Sequence, residues 1–235
     1  FVVLGYLEKQ QIVRPIQKKE KENRGMGREV FSILWKNAIL PMAFAAIVNG
    51  IIRNAVAFWI PTYIAEKLMM SSTVAAGLSS ILPIVNLAGT FTGLFLFKKM
   101  KCREMRVCII MFSFATVMFV AMWLMDGRYV LPTILALFAA SAAMSSVCNM
   151  LFSAYCMRFR DTGAVSSISG FLNFTSYASS SIASAVFSSV VTSSGWNTTV
   201  LIWAGLTIAG GAAAIWALVF TKRYHTDRPA LDTEG

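Results

Sequence analysis

Apolar residues run along the chain in six long stretches that lack a polar face. They cover residues 38–64, 74–97, 107–125, 129–157, 164–192 and 197–220. A helix of about 20 residues crosses the ~30 Å hydrocarbon core of a bilayer, so each stretch is long enough to span it. Helices satisfy their own backbone hydrogen bonds in lipid, whereas isolated strands do not. The pattern therefore predicts an all-α, polytopic membrane bundle of six transmembrane helices.

Composition agrees with this pattern. Hydrophobic residues make up 57% of the 235 residues and charged residues 14%, and the mean hydropathy is +0.64. Soluble domains carry about 25% charged residues. A soluble core would also need a polar face on each helix, and the six stretches have none. A soluble fold is excluded on both grounds.

The net charge of +10 is distributed unevenly between alternate loops. Basic residues are dense in 9–30, 98–106, 158–160 and 222–228, whereas the intervening loops hold only Lys67 and Arg128. This alternation is the positive-inside pattern of a multi-pass membrane protein. It predicts that the basic loops and the C-terminus are cytoplasmic and that 66–72 and 126–128 face outward. No nucleic-acid partner is expected, because topology accounts for the charge.

The first 30 residues differ from the rest of the chain. Residues 1–8 are mostly apolar but too short to span, and we interpret them as the end of a preceding transmembrane helix. A short interfacial helix at a true N-terminus is the alternative. Residues 9–30 are rich in Lys, Glu, Gln and Arg and are predicted to be a cytoplasmic central linker. The expected organisation continues with a six-helix bundle over 31–221 and a cytoplasmic tail over 222–235.

Signals for soluble-type catalysis are lacking. The four cysteines form no CxxC pair, and the single histidine, His225, lies in the tail. No Gly-rich phosphate-binding loop occurs, and no nucleophile has a neighbouring base. We therefore expect no enzyme activity, no metal and no cofactor. All eleven acidic residues fall in loops, at helix ends or in the tail.

Arg53 lies near the middle of the first stretch. At that depth an arginine costs on the order of 2.5–3.5 kcal/mol on insertion scales. Its helical face holds Asn49, Gly50 and Ala57, two small residues and one polar one that can line a cavity. One interpretation is a guanidinium that caps backbone carbonyls inside the bundle. The other is an anion site, with Asn49 beside it, because a guanidinium binds phosphate or carboxylate through a planar fork.

The residues after Arg53 carry a family resemblance. Trp59-Ile60-Pro61-Thr62-Tyr63 is followed by Glu66, and this helix resembles the seventh transmembrane helix of the organophosphate:phosphate antiporters, a family of the major facilitator superfamily. The resemblance implies that Arg53 binds the substrate phosphate. It also implies that a second arginine comes from an N-terminal six-helix half. Family members often have tyrosine where this chain has Gly50.

Residues 164–196 look like the eleventh helix of the same family, with Gly170-Phe171, Tyr177 and Gly195-Trp196 in place. Serines stand at 179 and 180, where glycines are common. Asn173 and Tyr177 are separated by four residues and therefore share one helical face. They are candidate substrate-binding residues, and packing against another helix is the alternative.

The resemblance implies the C-terminal half of a major facilitator fold, with helices one to three and four to six as an inverted repeat. The expected function is exchange of an organic phosphate, such as glycerol or sugar phosphate, for inorganic phosphate by alternating access. Membrane lipid and the N-terminal half are the other expected partners. A membrane sensor of sugar phosphates and a carrier of another organic anion are the alternatives. A six-helix channel is a third.

Overall fold

The computed structural model describes residues 38–101 and 103–226, apart from the side chains of 161, 162 and 222–226. The predicted helix end at 1–8, the linker at 9–30 and the tail beyond residue 226 lie outside the described residues.

Six α-helices make up most of the described chain. They are α1 (Ile39–Glu66), α2 (Ser72–Ser79), α3 (Leu82–Lys99), α4 (Glu104–Met125), α5 (Val130–Asn149) and α6 (Val165–Thr226). A π-helical segment, Met150–Tyr155, and a 3-10 segment, Cys156–Thr162, join α5 to α6. Five stretches are long and apolar enough to cross a membrane. The prediction of an all-α membrane bundle is confirmed.

The fifth of these stretches contains two of the six predicted spans. It covers Val165–Thr221, 57 residues, which is roughly 86 Å of helix and far more than one crossing. Gly195 breaks it with φ 76° and ψ 177°, a conformation that is strained for any residue with a Cβ. The rings of Phe187 and Trp203 meet across the break, 6.2 Å between centroids, so the chain doubles back there. We call residues 165–194 the first arm of α6 and residues 196–226 its second arm.

Two other predicted spans are helices with interruptions. The stretch at 74–97 is formed by α2 and α3, which are separated at Ser80 and Ile81, with Pro83 in the first turn of α3. Proline suits that position because the first turn needs no backbone donor from it. The stretch at 129–157 is regular up to Asn149 and then widens into the π-helical segment.

Small residues allow close contacts at two helix crossings. A Cβ built on Gly89 of α3 would overlap the backbone of Ala142 in α5, and Ser146 Oγ donates to the Gly89 carbonyl. A Cβ built on Gly50 of α1 would overlap Ser176 in the first arm of α6. Glycine at a membrane helix interface lets two backbones approach each other in this way. These crossings set the spacing of α1, α3, α5 and the first arm.

The polar loops gather at the two ends of the bundle. At one end, Lys67 Nζ lies 2.6 Å from Asp126 Oδ1, and Trp196 Nε1 donates to Glu66 Oε2 at 3.0 Å. Hydrogen bonds from Lys67 and Asn197 hold the pKa of the exposed Asp126 carboxyl below its usual value. At the other end, Glu104 forms an ion pair with Arg158. The loops therefore alternate between ends as the charge pattern predicts.

The Gly89 crossing generates the first prediction. Gly89→Ala should lower the melting temperature of the purified full-length protein, because overpacking a tight contact costs typically about 1–3 kcal/mol. Gly205→Ala is the matched control, since a Cβ there meets no atom within 4 Å. That control should leave the melting temperature unchanged or slightly higher, because alanine favours helix by roughly 0.5–1 kcal/mol. Equal melting temperatures for the two variants would contradict the role of Gly89.

Candidate functional site

Arg53 lies half-buried at the middle of α1 and faces the first arm of α6. Its Nη2 donates to Tyr177 Oη at 3.3 Å, and the guanidinium carbon is 6.0 Å from the centroid of the Tyr177 ring. Its Nε is buried and has no hydrogen-bond partner among the described residues. A phenol is a neutral partner, so the positive charge itself is not balanced at this contact.

A cavity of about 450 Å³ opens beside Arg53, between α1, α3 and α5. Its volume falls within the roughly 300–1,000 Å³ of small-molecule pockets. Its lining residues are Arg53, Pro83, Asn86, Leu87, Thr90, Ser145, Cys148, Asn149, Phe152 and Ser153. None of these residues carries a carboxylate, and Arg53 is the sole basic residue among them. The cavity is therefore a cationic, hydrogen-bonding environment at the depth of the membrane centre.

Asn86 of α3 and Asn149 of α5 both line this cavity. The buried Ser141 hydroxyl donates to Asn86 Oδ1 at 2.8 Å, which leaves the amide NH2 of Asn86 available as a donor to the cavity. Asn149 lies where α5 passes into the π-helical segment. Such π segments change the direction of side chains and are frequent at functional sites. Both amides lie within the predicted spans 74–97 and 129–157, and their polarity in an apolar stretch is the signal that marks them in the sequence.

The four residues that the sequence singles out occupy three different environments. Arg53 and Tyr177 are in contact. Asn49 is fully buried, and its Nδ2 donates to the Met144 carbonyl at 2.7 Å, which ties α1 to α5. Asn173 is half-buried, and its Nδ2 donates to the Ser169 carbonyl one turn earlier at 2.9 Å. The contacts of Asn49 and Asn173 are thus structural, and substrate binding by them stays a prediction.

A second cavity of about 520 Å³ lies on the other side of Tyr177, between α1 and the first arm of α6. Its polar lining is formed by Asn54, Tyr177, Ser180, Ser181 and Ser184. Tyr177 is 54% exposed and lines this second cavity, while its hydroxyl contacts Arg53, which lines the first. Ser180 keeps this face small and polar, whereas Ser179 Oγ donates to the Ile47 carbonyl at 3.5 Å and so contacts α1.

The arrangement combines one mid-membrane cation with amides, hydroxyls and an exposed phenol. It suits reversible binding of a small polar anion, since a guanidinium with free N–H donors is matched by two acceptor oxygens. The described residues contain no cluster of three or more His, Cys, Asp or Glu side chains that could hold a metal ion.

Comparison with known families gives one match. The family model described as Major Facilitator Superfamily matches residues 1–184, more than half of the 235 residues. No curated protein matches the chain. Members of this superfamily are multi-pass membrane transporters, in agreement with the long apolar helices. The chain belongs to the Major Facilitator Superfamily.

Proposed function

We propose that the carrier exchanges an organic phosphate, such as a glycerol or sugar phosphate, for inorganic phosphate across a bacterial cytoplasmic membrane. The observation that carries this proposal is the position of Arg53 beside an open cavity whose lining has no carboxylate. The resemblance of α1 to the organophosphate:phosphate antiporters points to the same substrate class.

The energetics of Arg53 favour an anionic substrate. A central arginine costs on the order of 2.5–3.5 kcal/mol in a membrane helix, and the Tyr177 phenol returns only a neutral hydrogen bond and a cation–π contact. Among the described side chains no carboxylate pairs with the Arg53 guanidinium, so its charge is left for a second interaction. A phosphate satisfies two N–H donors at once and supplies the opposite charge. If Arg53 were a structural cap, backbone carbonyls would accept hydrogen bonds from those N–H donors instead.

Tyr177 has a second role in this proposal. In the absence of substrate its hydroxyl occupies one of the positions that a phosphate oxygen would take on Arg53. When phosphate binds, the same hydroxyl can donate to it, because a phenol is both donor and acceptor. The exposed ring also lines the second cavity, so Tyr177 can contact a substrate on that side of Arg53.

The amides of Asn86 and Asn149 favour an organic phosphate with hydroxyl groups. They lie on α3 and α5, across the cavity from the guanidinium of α1. Amides and serine hydroxyls each offer a donor and an acceptor, which matches the hydroxyl groups of glycerol or a sugar. We propose that phosphate binds at Arg53 and that the hydroxyl-bearing part of the substrate contacts these two amides.

We propose that this bundle acts as the C-terminal half of a major facilitator fold and that the C-terminus is cytoplasmic. The N-terminal half would contribute a second arginine, so that one phosphate is held between the two halves. Binding there would draw the halves together around the midplane site and allow alternating access.

Substitution of Arg53 tests the phosphate site. Reconstituted wild-type protein should exchange external for internal phosphate without an imposed pH gradient. Arg53→Ala should abolish this exchange, and Arg53→Lys should weaken phosphate binding strongly, because lysine lacks the planar fork. A loss of about 2–5 kcal/mol corresponds to roughly 30- to several-thousand-fold in affinity.

Arg128→Ala is the control, since Arg128 is an exposed cation in the loop between α4 and α5. It should leave phosphate affinity within about twofold of wild type, because exposed charges are screened. If folded Arg53→Ala binds phosphate as wild type does, Arg53 is a structural cap and the proposal fails.

Substitution of the amides tests the organic part of the substrate. Asn86→Leu and Asn149→Leu keep the side-chain size but remove the hydrogen bonds. Each should weaken glycerol 3-phosphate binding by about 1–3 kcal/mol, roughly 5- to 150-fold, and leave inorganic phosphate binding nearly unchanged. Thr175→Val is the control, because the Thr175 hydroxyl bonds only to carbonyls of its own helix. Equal losses for both ligands would refute a separate hydroxyl subsite.

The Cys148 thiol provides a direct measure of occupancy. Cys148 lines the cavity and is half-buried, whereas Cys108 and Cys156 are buried. A small maleimide should therefore label Cys148 faster than Cys108 or Cys156, with peptide mass spectrometry locating the label on each. Inorganic phosphate at about ten times its Kd or more should slow labelling of Cys148 about tenfold or more, because the unoccupied fraction of sites is 1/(1 + C/Kd), where C is the phosphate concentration. Unchanged labelling at a phosphate concentration that saturates binding would place the anion elsewhere.

A further inference from the structure

A separate apolar groove lies between α3 and α4, on the face of the bundle away from the Arg53 cavity. Its volume is about 410 Å³. Thr92 and Leu96 of α3 form one wall, Ile110 and Phe114 of α4 form the other, and small residues of α5 such as Ala139 form the floor. Both α3 and α4 pack extensively on α5 but only slightly on each other, so the groove stays open toward the lipid.

Two cations border the inner end of this groove. Lys99 follows Leu96 by three positions on α3, and Arg106 precedes Ile110 by four positions on α4. Helical residues three or four apart are surface neighbours, so each cation continues one wall of the groove toward the loop at 100–103. Lys99 is exposed and Arg106 half-buried.

This end of the bundle has a surplus of unbalanced positive charge. The segment 98–106 contains five basic residues and a single carboxylate, Glu104. Glu104 is 4% exposed and forms an ion pair with Arg158, so it does not offset the cations at the groove. Among the described side chains, neither Lys99 nor Arg106 takes part in an ion pair. The positive-inside rule explains an excess of cations in this loop, but not their alignment with an apolar groove.

We propose that the groove holds one acyl chain of an anionic phospholipid, with the lipid phosphate bound by Lys99 and Arg106. From Gly89 to Leu96 the α3 wall rises roughly 10 Å, most of the ~15 Å depth of one hydrocarbon leaflet. A lipid tail fills the groove and supplies the dispersion contacts that a void would forfeit. The lipid phosphate supplies the negative charge that the loop lacks. It would lie in the leaflet where basic residues attract anionic head groups.

Lipid retention by the full-length protein tests this site. Protein from nanodiscs containing equal phosphatidylglycerol and phosphatidylcholine is transferred to detergent, and the bound lipids are counted by native mass spectrometry. Wild type should retain phosphatidylglycerol preferentially. The double variant Lys99→Gln/Arg106→Gln should lower the ratio of retained phosphatidylglycerol to phosphatidylcholine roughly 10- to 30-fold. The matched control, Lys98→Gln/Arg160→Gln, removes the same charge from the same end and should keep the wild-type ratio.

A groove-filling variant tests the acyl chain independently of charge. Ala139→Phe should reduce retention of both lipids, whereas Leu135→Phe, which adds bulk one turn away outside the groove, should not. The proposal is overturned if both double variants lose the preference equally, because general surface charge then explains it. It is also overturned if Ala139→Phe retains lipid as wild type does, or if wild type appears as lipid-free dimers that Ala139→Phe dissociates. Phosphate exchange is not part of the readout, so failure here leaves the proposed transport function standing.

Discussion

Close backbone approach at two glycine contacts determines where the polar side chains of this bundle lie. Gly50 brings α1 against Ser176, and Gly89 brings α3 against Ala142. Lipid provides little hydrophobic drive for helices to associate, so van der Waals contact at such crossings carries much of the association. One turn beyond Gly50 on α1 is Arg53, which therefore meets Tyr177, the residue next to Ser176. A tyrosine at position 50, frequent in the family that α1 resembles, would not fit against Ser176 in this packing.

The same crossings explain how a costly arginine is tolerated inside the bundle. Arg53 is not sealed in the apolar interior, since a polar cavity reaches it from the side of α3 and α5. Its contact with Tyr177 supplies a hydrogen bond without a counter-charge. A carboxylate in that position would neutralise the guanidinium permanently and compete with an anionic substrate. The neutral environment keeps the guanidinium available, which is the physical condition for reversible anion binding.

Charged side chains at the ends of the bundle form ion pairs, whereas Arg53 at its centre contacts a neutral phenol. Lys67 and Asp126 join α1 to α4 at one end, while Glu104 and Arg158 join α4 to the segment after α5 at the other. These pairs hold helices together where the hydrophobic contacts stop. The pairing of Glu104 with Arg158 also leaves the remaining cations of the α3–α4 loop without a carboxylate partner among the described side chains.

The sequence by itself determined the all-helical membrane fold, the number of crossings and the alternation of loops between the two ends. These features follow from the length and polarity of the segments. Segments surrounded by lipid must present apolar side chains to it and must satisfy their backbone hydrogen bonds internally. Arg53 is also evident from sequence, since a lone charge in an apolar stretch stands out. Only the tertiary structure decided that Gly195 joins two spans into one broken helix. It also decided that Asn49 is used in packing against α5, whereas Asn86 and Asn149 line the cavity with Arg53. The sequence favoured Asn49, one turn from Arg53, because helical spacing shows only which residues share a face of one helix. Which neighbouring helix each face meets depends on contacts between residues far apart in the chain.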